Sequence, residues 1–171
     1  MKFLLLLTLS TLLLLADLKP FKTLSLDFTQ VITNEQNRTL TYTGKLHMQQ
    51  PNRILWEYET PVVKKIYIAN SQVTIYEPDL LQATIFKNGR ELNPIHMFNE
   101  STKIDENTRS AKFNQKEILI KHNKDEITNL SFLDEVENSV VIYFKSYQYN
   151  PTFNKSFFVF YPDSETDVIR P

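Results

Sequence analysis

From Leu24 onward the chain alternates apolar and polar residues with a period of two, in one segment after another. Successive side chains of a strand point to opposite faces of its sheet, so this alternation specifies half-buried strands. Leu24, Leu26, Phe28, Gln30 and Ile32 share one face of the first segment. Leu40, Tyr42, Gly44, Leu46 and Met48 share a face of the second, with Thr39, Thr41, Thr43, Lys45 and His47 opposite. Ile54, Trp56 and Tyr58 mark a third. Ile66 and Ile68, then Val73 and Ile75, then Leu81, Ala83 and Ile85 mark three more. Polar and proline-bearing turns separate them at 34–37, 51–52, 60–61, 70–71, 78–79 and 88–89. Links this short join neighbouring antiparallel strands, because parallel pairs need long crossovers.

Residues 91–106 break the period. Leu92, Ile95 and Phe98 recur there at near-helical spacing behind an early Pro94, which reads as a short helix or an ordered loop. Strands are expected again over 111–114, 117–121, 128–133, 140–149 and 156–161. So many strands with almost no helix specify a mainly β fold, a sandwich or a barrel. The meander of the first six segments favours a curved sheet or barrel over a Greek-key sandwich. With only Gly44 and Gly89 in the chain, asparagine must occupy many of the turn positions.

The first residues are of another kind. Lys2 is followed by an apolar run from Phe3 to Leu15, too short to span a bilayer core, and then by Ala16. That layout reads as a secretory signal peptide over 1–16, leaving 17–171 as one domain of an exported protein, with an uncleaved buried helix or membrane anchor as the alternative. Lys and Arg number 19 against 20 Asp and Glu, which gives no basic footprint for nucleic acid. The chain has no cysteine, so it carries neither disulfides nor a cysteine-linked lipid of its own.

Catalytic signals are missing. His47, His96 and His122 stand apart without metal-ligand spacing, and read as solvated or hydrogen-bonded imidazoles. There is no nucleophile elbow, no zinc-protease helix and no glycine-rich phosphate loop. Asn37-Arg38-Thr39 forms an N-x-T tripeptide in a hairpin turn, where an ordinary polar turn is the simpler reading. What remains is apolar surface. Trp56, the only tryptophan, shares a strand face with Ile54 and Tyr58. Such a stripe is either a filled core or the lining of a partly empty, ligand-binding concavity, and periodicity alone does not separate the two.

An ordered set of segments bears on that choice. Phe28-Thr29-Gln30 is followed by Gly44-Lys45-Leu46, then by Pro51-Asn52-Arg53-Ile54-Leu55-Trp56-Glu57-Tyr58 and Thr60-Pro61. Ile75-Tyr76-Glu77-Pro78-Asp79-Leu80-Leu81-Gln82-Ala83 comes next, and Asn150-Pro151, Phe158-Val159-Phe160 and Thr166-Asp167-Val168-Ile169 close the chain. From about Leu24 to Ile169 this order resembles the outer-membrane lipoprotein carrier family, LolA. The resemblance implies a single curved antiparallel sheet, an unclosed half β-barrel, with short helices as a lid over its mouth. It implies a periplasmic monomer that takes acylated lipoproteins from an inner-membrane ABC exporter and hands them to an outer-membrane acceptor, without cofactor or catalysis. A lipid-binding envelope-stress sensor of the same fold is the alternative duty.

On this resemblance the concave, lipid-binding face carries Phe28, Leu46, Met48, Ile54, Trp56, Tyr58, Ile66, Ile68 and Ile75, and the lid brings Ile95, Met97 and Phe98 over it. Family members have an Arg just before the Pro-Asn pair that hydrogen-bonds to the lid. Here that latch position is Gln50, which can donate and accept but has no charge. The family's longer helix before the first strand has little room between Asp17 and Thr23, where Pro20 intervenes.

Overall fold

The computed structural model describes residues 18–87, 93–113 and 115–171. The segment read as a signal peptide and the 88–89 turn lie outside the described residues. The strands are β1 (Thr23–Thr33), β2 (Thr39–Gln49), β3 (Arg53–Thr60), β4 (Lys64–Ala69), β5 (Gln72–Glu77) and β6 (Gln82–Lys87). After a helix, α1 (Pro94–Glu100), come β7 (Thr102–Lys103), β8 (Thr108–Phe113), β9 (Lys116–His122), β10 (Ile127–Leu133), β11 (Ser139–Tyr149) and β12 (Asp167–Ile169).

All twelve strands form one sheet in the order β12-β6-β5-β4-β3-β2-β1-β11-β10-β9-β8-β7. The chain meanders outward from β1 to β6, crosses by way of α1 to the far edge at β7, and meanders back until β11 pairs with β1. That central pairing runs from Leu24↔Tyr149 to Thr33↔Ser139. Every pair is antiparallel except β12 with β6. The edge strands β12 and β7 do not pair with each other, so the sheet is not closed.

Register makes the alternation three-dimensional. One ladder of facing residues runs Leu26, Leu46, Trp56, Ile66 and Ile75 across β1–β5. A parallel ladder runs Leu24, Met48, Ile54, Ile68, Val73 and Phe86 across β1–β6. Both lie on the concave face, where they join Ile118, Ile120, Leu130, Val140, Ile142 and Phe144 of the returning strands in one core.

Turns are built largely without glycine. Positive φ values among the described residues fall on Asn37, Asn70 and Asn150, and on Ser71, Leu81, Gln115, Glu137 and Ser146. The side chains of Asn34, Asp105, Asn123, Asp134, Asn154 and Asp163 each accept from the backbone N–H two residues on, an Asx turn. Asn37 is exposed in the β1–β2 turn.

The expected strand over 156–161 is not formed. Asn154 opens a turn there, with Phe157 N–H on its carbonyl at 3.2 Å and Val159 N–H on that of Ser156 at 3.0 Å. The alternation in this stretch reflects a cover rather than a strand. Outward-facing positions of β2–β6 include His47, Leu55, Tyr67, Thr74, Tyr76, Ala83 and Ile85, too apolar to leave in water. Phe153 and Phe157 pack edge-on against His47, and Phe160 packs on Tyr67 and Tyr76. Phe158 is fully buried beneath them. The face read as polar on β2 is therefore covered at His47, which is 7% exposed and hydrogen-bonded rather than solvated. The strand at this end is instead Asp167–Ile169.

Candidate functional site

All nine residues placed on the concave face by their alternation meet in one cluster. Phe28, Leu46, Met48, Ile54, Trp56 and Ile68 are buried, and Tyr58, Ile66 and Ile75 are half-buried against them. The helix stands over this cluster: Phe98 is buried in it, and Ile95 and Met97 pack on it half-buried.

A close backbone approach shapes the floor. Gly44 sits opposite both Phe28 and Tyr58. A Cβ at this position would overlap the Glu57 carbonyl oxygen and lie 2.8 Å from the Phe28 ring. Without it, the Phe28 ring lies across β2 and meets Trp56 and Tyr58 edge-on, with centroids 5.2 and 4.9 Å apart. Edge-to-face pairs of this kind fix ring orientation as well as burying area.

Between floor and lid is a cavity of about 170 Å³. Trp56, Tyr58 and Ile66 form one wall; Ile118, Leu130, Phe132 and Ile142 form the other; Pro94 and Met97 roof it. Of its polar groups, the Tyr58 hydroxyl donates to Gln30 Oε1 at 2.9 Å. Burial pushes the Tyr58 phenol up to about 12, so it stays a neutral donor. A larger cleft, about 470 Å³, lies at the end of the trough beside the β2–β3 and β4–β5 turns, and it is polar.

The lid is tied at both ends. Asn93 Oδ1 accepts from Ile95 N–H and His96 N–H, and Pro94 follows it at the first helical position. At the other end Ser101 Oγ donates to the Phe98 carbonyl at 2.6 Å. Arg109, on the concave face of β8, donates from Nε to Ser101 Oγ at 2.6 Å and from Nη2 to the Ser101 carbonyl at 2.7 Å. Its guanidinium also lies 4.9 Å from the centre of the Phe98 ring. Phe98 in turn meets His122 edge-on at 5.0 Å. His122 Nδ1 donates to the Asn123 carbonyl at 2.8 Å, and its buried Nε2 has no partner among the described residues.

The sequence and its fold match known proteins. The family model for "Outer membrane lipoprotein carrier protein LolA" matches residues 19–103. An outer-membrane lipoprotein carrier protein of Wolinella succinogenes is 35% identical over 145 residues, 84% of each chain. The chain belongs to the outer-membrane lipoprotein carrier family. A family member from Campylobacter jejuni is 33% identical over 150 residues, 88% of each chain. Among solved structures, a LolA superfamily protein from Nitrosomonas europaea superposes with a TM-score of 0.55 at 7% identity, covering 84% of this chain and 93% of that one. An uncharacterized conserved protein from Thermus thermophilus gives 0.55 at 12% identity over 88% and 91%. At such identities these two speak for the fold alone.

Within this LolA-family trough, the latch position holds a different residue with a different connection. Gln50 is exposed, and its backbone N–H donates to the Lys22 carbonyl at 2.9 Å. Its side chain faces α1 across the polar cleft, and no hydrogen bond joins the two among the described residues. The charged tie to the lid comes from Arg109 on the opposite flank. Sequence reasoning missed Arg109, and it also left out Ile118, Leu130, Phe132 and Ile142, whose strands it had expected. Their alternation was legible, but nothing in one sequence says which face of β9–β11 turns toward β3. Before β1, residues 18–22 are not helical; Leu18 and Phe21 pack on the core as extended chain.

Proposed function

We propose that this protein binds the acyl chains of lipid-modified proteins in the trough and ferries them across the periplasm. It would receive them from an inner-membrane ABC exporter and deliver them to an outer-membrane acceptor. The observation that carries this reading is the cavity of about 170 Å³, walled by apolar side chains of both halves of the sheet and roofed by a short helix. An apolar cavity of roughly 150 Å³ stays dry and accepts benzene. The space under α1 therefore has room for about six carbons, and a longer acyl chain would have to displace the helix.

Burial of each CH₂ contributes about 0.8 kcal/mol and makes no covalent bond, so loading is strong in sum and still reversible. No step requires a nucleophile or a proton relay. Among the described residues no helix is long and apolar enough to cross a membrane, in keeping with a carrier that moves through water.

Trp56, as the only tryptophan, reports directly on the site. Titration with an acylated cysteinyl peptide bearing bromine on its chains should quench Trp56 fluorescence, and the protein should release a lipoprotein from spheroplasts into the medium. Absence of quenching together with absence of release would sink the carrier reading. Quenching without release would favour a lipid-sensing duty.

A further inference from the structure

The trough continues past the lid. Ile54 and Ile68 lie two residues along β3 and β4 from Trp56 and Ile66, on the same face, and there the chemistry of the wall changes. The cleft they floor measures about 470 Å³. Amide-bearing residues line it from three directions: Gln50 and Asn52 from the β2–β3 turn, Asn70 from the β4–β5 turn, and Asn93 and Asn99 from α1 and its cap. Among the described residues, no Lys, Arg, Asp or Glu lines it; the one ionisable side chain on its wall is that of His96, whose Nε2 lies 3.6 Å from Glu100 Oε1. Asn93 commits its oxygen to the helix, and its NH₂ group has no partner among the described residues. The side-chain amides of Gln50, Asn52, Asn70 and Asn99 have no protein partner among the described residues.

We propose that this cleft holds the first residues of the cargo polypeptide, those following its acylated cysteine, through hydrogen bonds between side-chain amides and peptide groups. This rests on the carrier reading and adds the class of ligand the second half of the trough takes. A carboxamide presents two N–H donors and a carbonyl acceptor, the same pair of functions as the peptide unit it would meet. A phospholipid headgroup calls instead for cations: phosphate is held by charge-assisted bonds from Arg and Lys, and the cleft offers none. The acyl chains occupy the apolar section under Met97, the cysteine sits at the junction marked by Ile54 and Ile68, and the polypeptide leaves past the two turns. Contacts made to backbone rather than side chains admit cargo of any sequence, as a general carrier requires. A wall of amides without Lys or Arg thereby separates a lipoprotein from a phospholipid bearing the same acyl chains.

The test compares affinities for three probes: a triacylated cysteinyl peptide with a short neutral sequence, the same triacylated cysteine capped as its primary amide, and phosphatidylglycerol offered from vesicles. Wild-type protein should hold the lipopeptide about tenfold more tightly than the capped cysteine, equivalent to about 1.4 kcal/mol. It should hold phosphatidylglycerol more weakly than either. The double variant Asn52→Ala/Asn99→Ala, at two exposed positions, should bind lipopeptide and capped cysteine alike, with its affinity for the capped cysteine unchanged and its melting temperature close to wild type. Equal wild-type affinity for both acylated probes would overturn the subsite. So would an equal loss of both in the variant, or phosphatidylglycerol binding that matches the lipopeptide. If wild type binds no acylated probe at all, the carrier reading fails first and takes the subsite with it.

Discussion

Replacing Trp56 with alanine separates a lining residue from a packing residue. The side chain is 7% exposed and touches Phe28 on one side and Phe144, 6.1 Å between centroids, on another. A third side faces the cavity of about 170 Å³. Truncating a Trp in a filled core costs about 3–5 kcal/mol. Here part of the ring already lacks protein partners, so the loss should be about 2–4 kcal/mol, which a domain with stability of roughly 5–15 kcal/mol survives. An indole offers on the order of 150–250 Å² of contact area. With the side chain 7% exposed, about 20 Å² of it is left to face the cargo, and at ~25 cal/mol per Å² the acyl chain loses about 0.5 kcal/mol, roughly twofold in affinity.

Both quantities are measurable on one preparation: stability by denaturant unfolding, and affinity by displacement of a fluorescent acyl probe under conditions where the variant is folded. The expected result is a folded Trp56→Ala protein with affinity reduced about twofold. If affinity falls only by the unfolded fraction, Trp56 is packing and the cavity is not the cargo site.

Arg109→Ala should remove both bonds to Ser101 and the stacking on Phe98, weakening the lid by about 1–3 kcal/mol; hydrogen exchange at Met97 and Ser101 N–H should accelerate while exchange in β1 and β11 does not, and uniform acceleration would refute a lid-specific role. On the outer face, Glu57 accepts from His47 Nε2 at 3.1 Å and from Lys65 Nζ at 2.8 Å, and His47 first and Lys65 with it hold the Glu57 carboxyl at about 2 against the opposing effect of burial. Because the folded state takes up this proton at lower pH than the unfolded chain, the associated stability is intact above about 4.5 and is lost as pH falls toward about 2; Glu57→Gln should flatten that limb of a stability–pH curve, and an unchanged acid limb would refute the assignment. Gly44→Ala forces β2 away from the Glu57 carbonyl or displaces Phe28, so a loss of about 1–3 kcal/mol is expected on denaturant unfolding, and wild-type stability would show that the floor adapts freely.

The concave face was legible because register and alternation are the same information. Once β1–β5 pair as neighbours, the period of two puts Leu46, Trp56, Ile66 and Ile75 in line, and a slip of one residue would turn them all outward. The lid was legible as the place where the period stops. Three features were not. The cover over the outer face uses Phe158 and Phe160, whose alternation looks like a strand, and only the need to bury Leu55, Tyr67 and Tyr76 explains where they go. His47 was assigned to a polar face because its strand neighbours Thr43 and Lys45 are polar, yet the cover arrives from residues 153–157, far along the chain. Arg109 carries no local signal: a charged residue in a strand normally points to water, and its partner Ser101 becomes near only through the β7–β8 turn.

In the proposed carriage the lid and the cargo would compete for one surface. Pro94 and Met97 already cover the apolar wall that an acyl chain would occupy, so the net gain on loading is the cargo's burial minus the lid's. A seven-residue helix is too short to persist alone in water; α1 exists because Phe98 is docked and because Asn93 and Arg109 fix its two ends. Displacing it therefore costs docking and helix together, a cooperative penalty of a few kcal/mol set against about 0.8 kcal/mol for each CH₂ buried. In the proposed carriage long chains would clear that threshold and short ones would not, which would select for acylated cargo without any specific contact to the chain terminus. The same penalty is returned when cargo leaves and the lid redocks. In the proposed carriage, the strength of the Arg109–Ser101 tie thus sets how readily a downstream acceptor draws the cargo out.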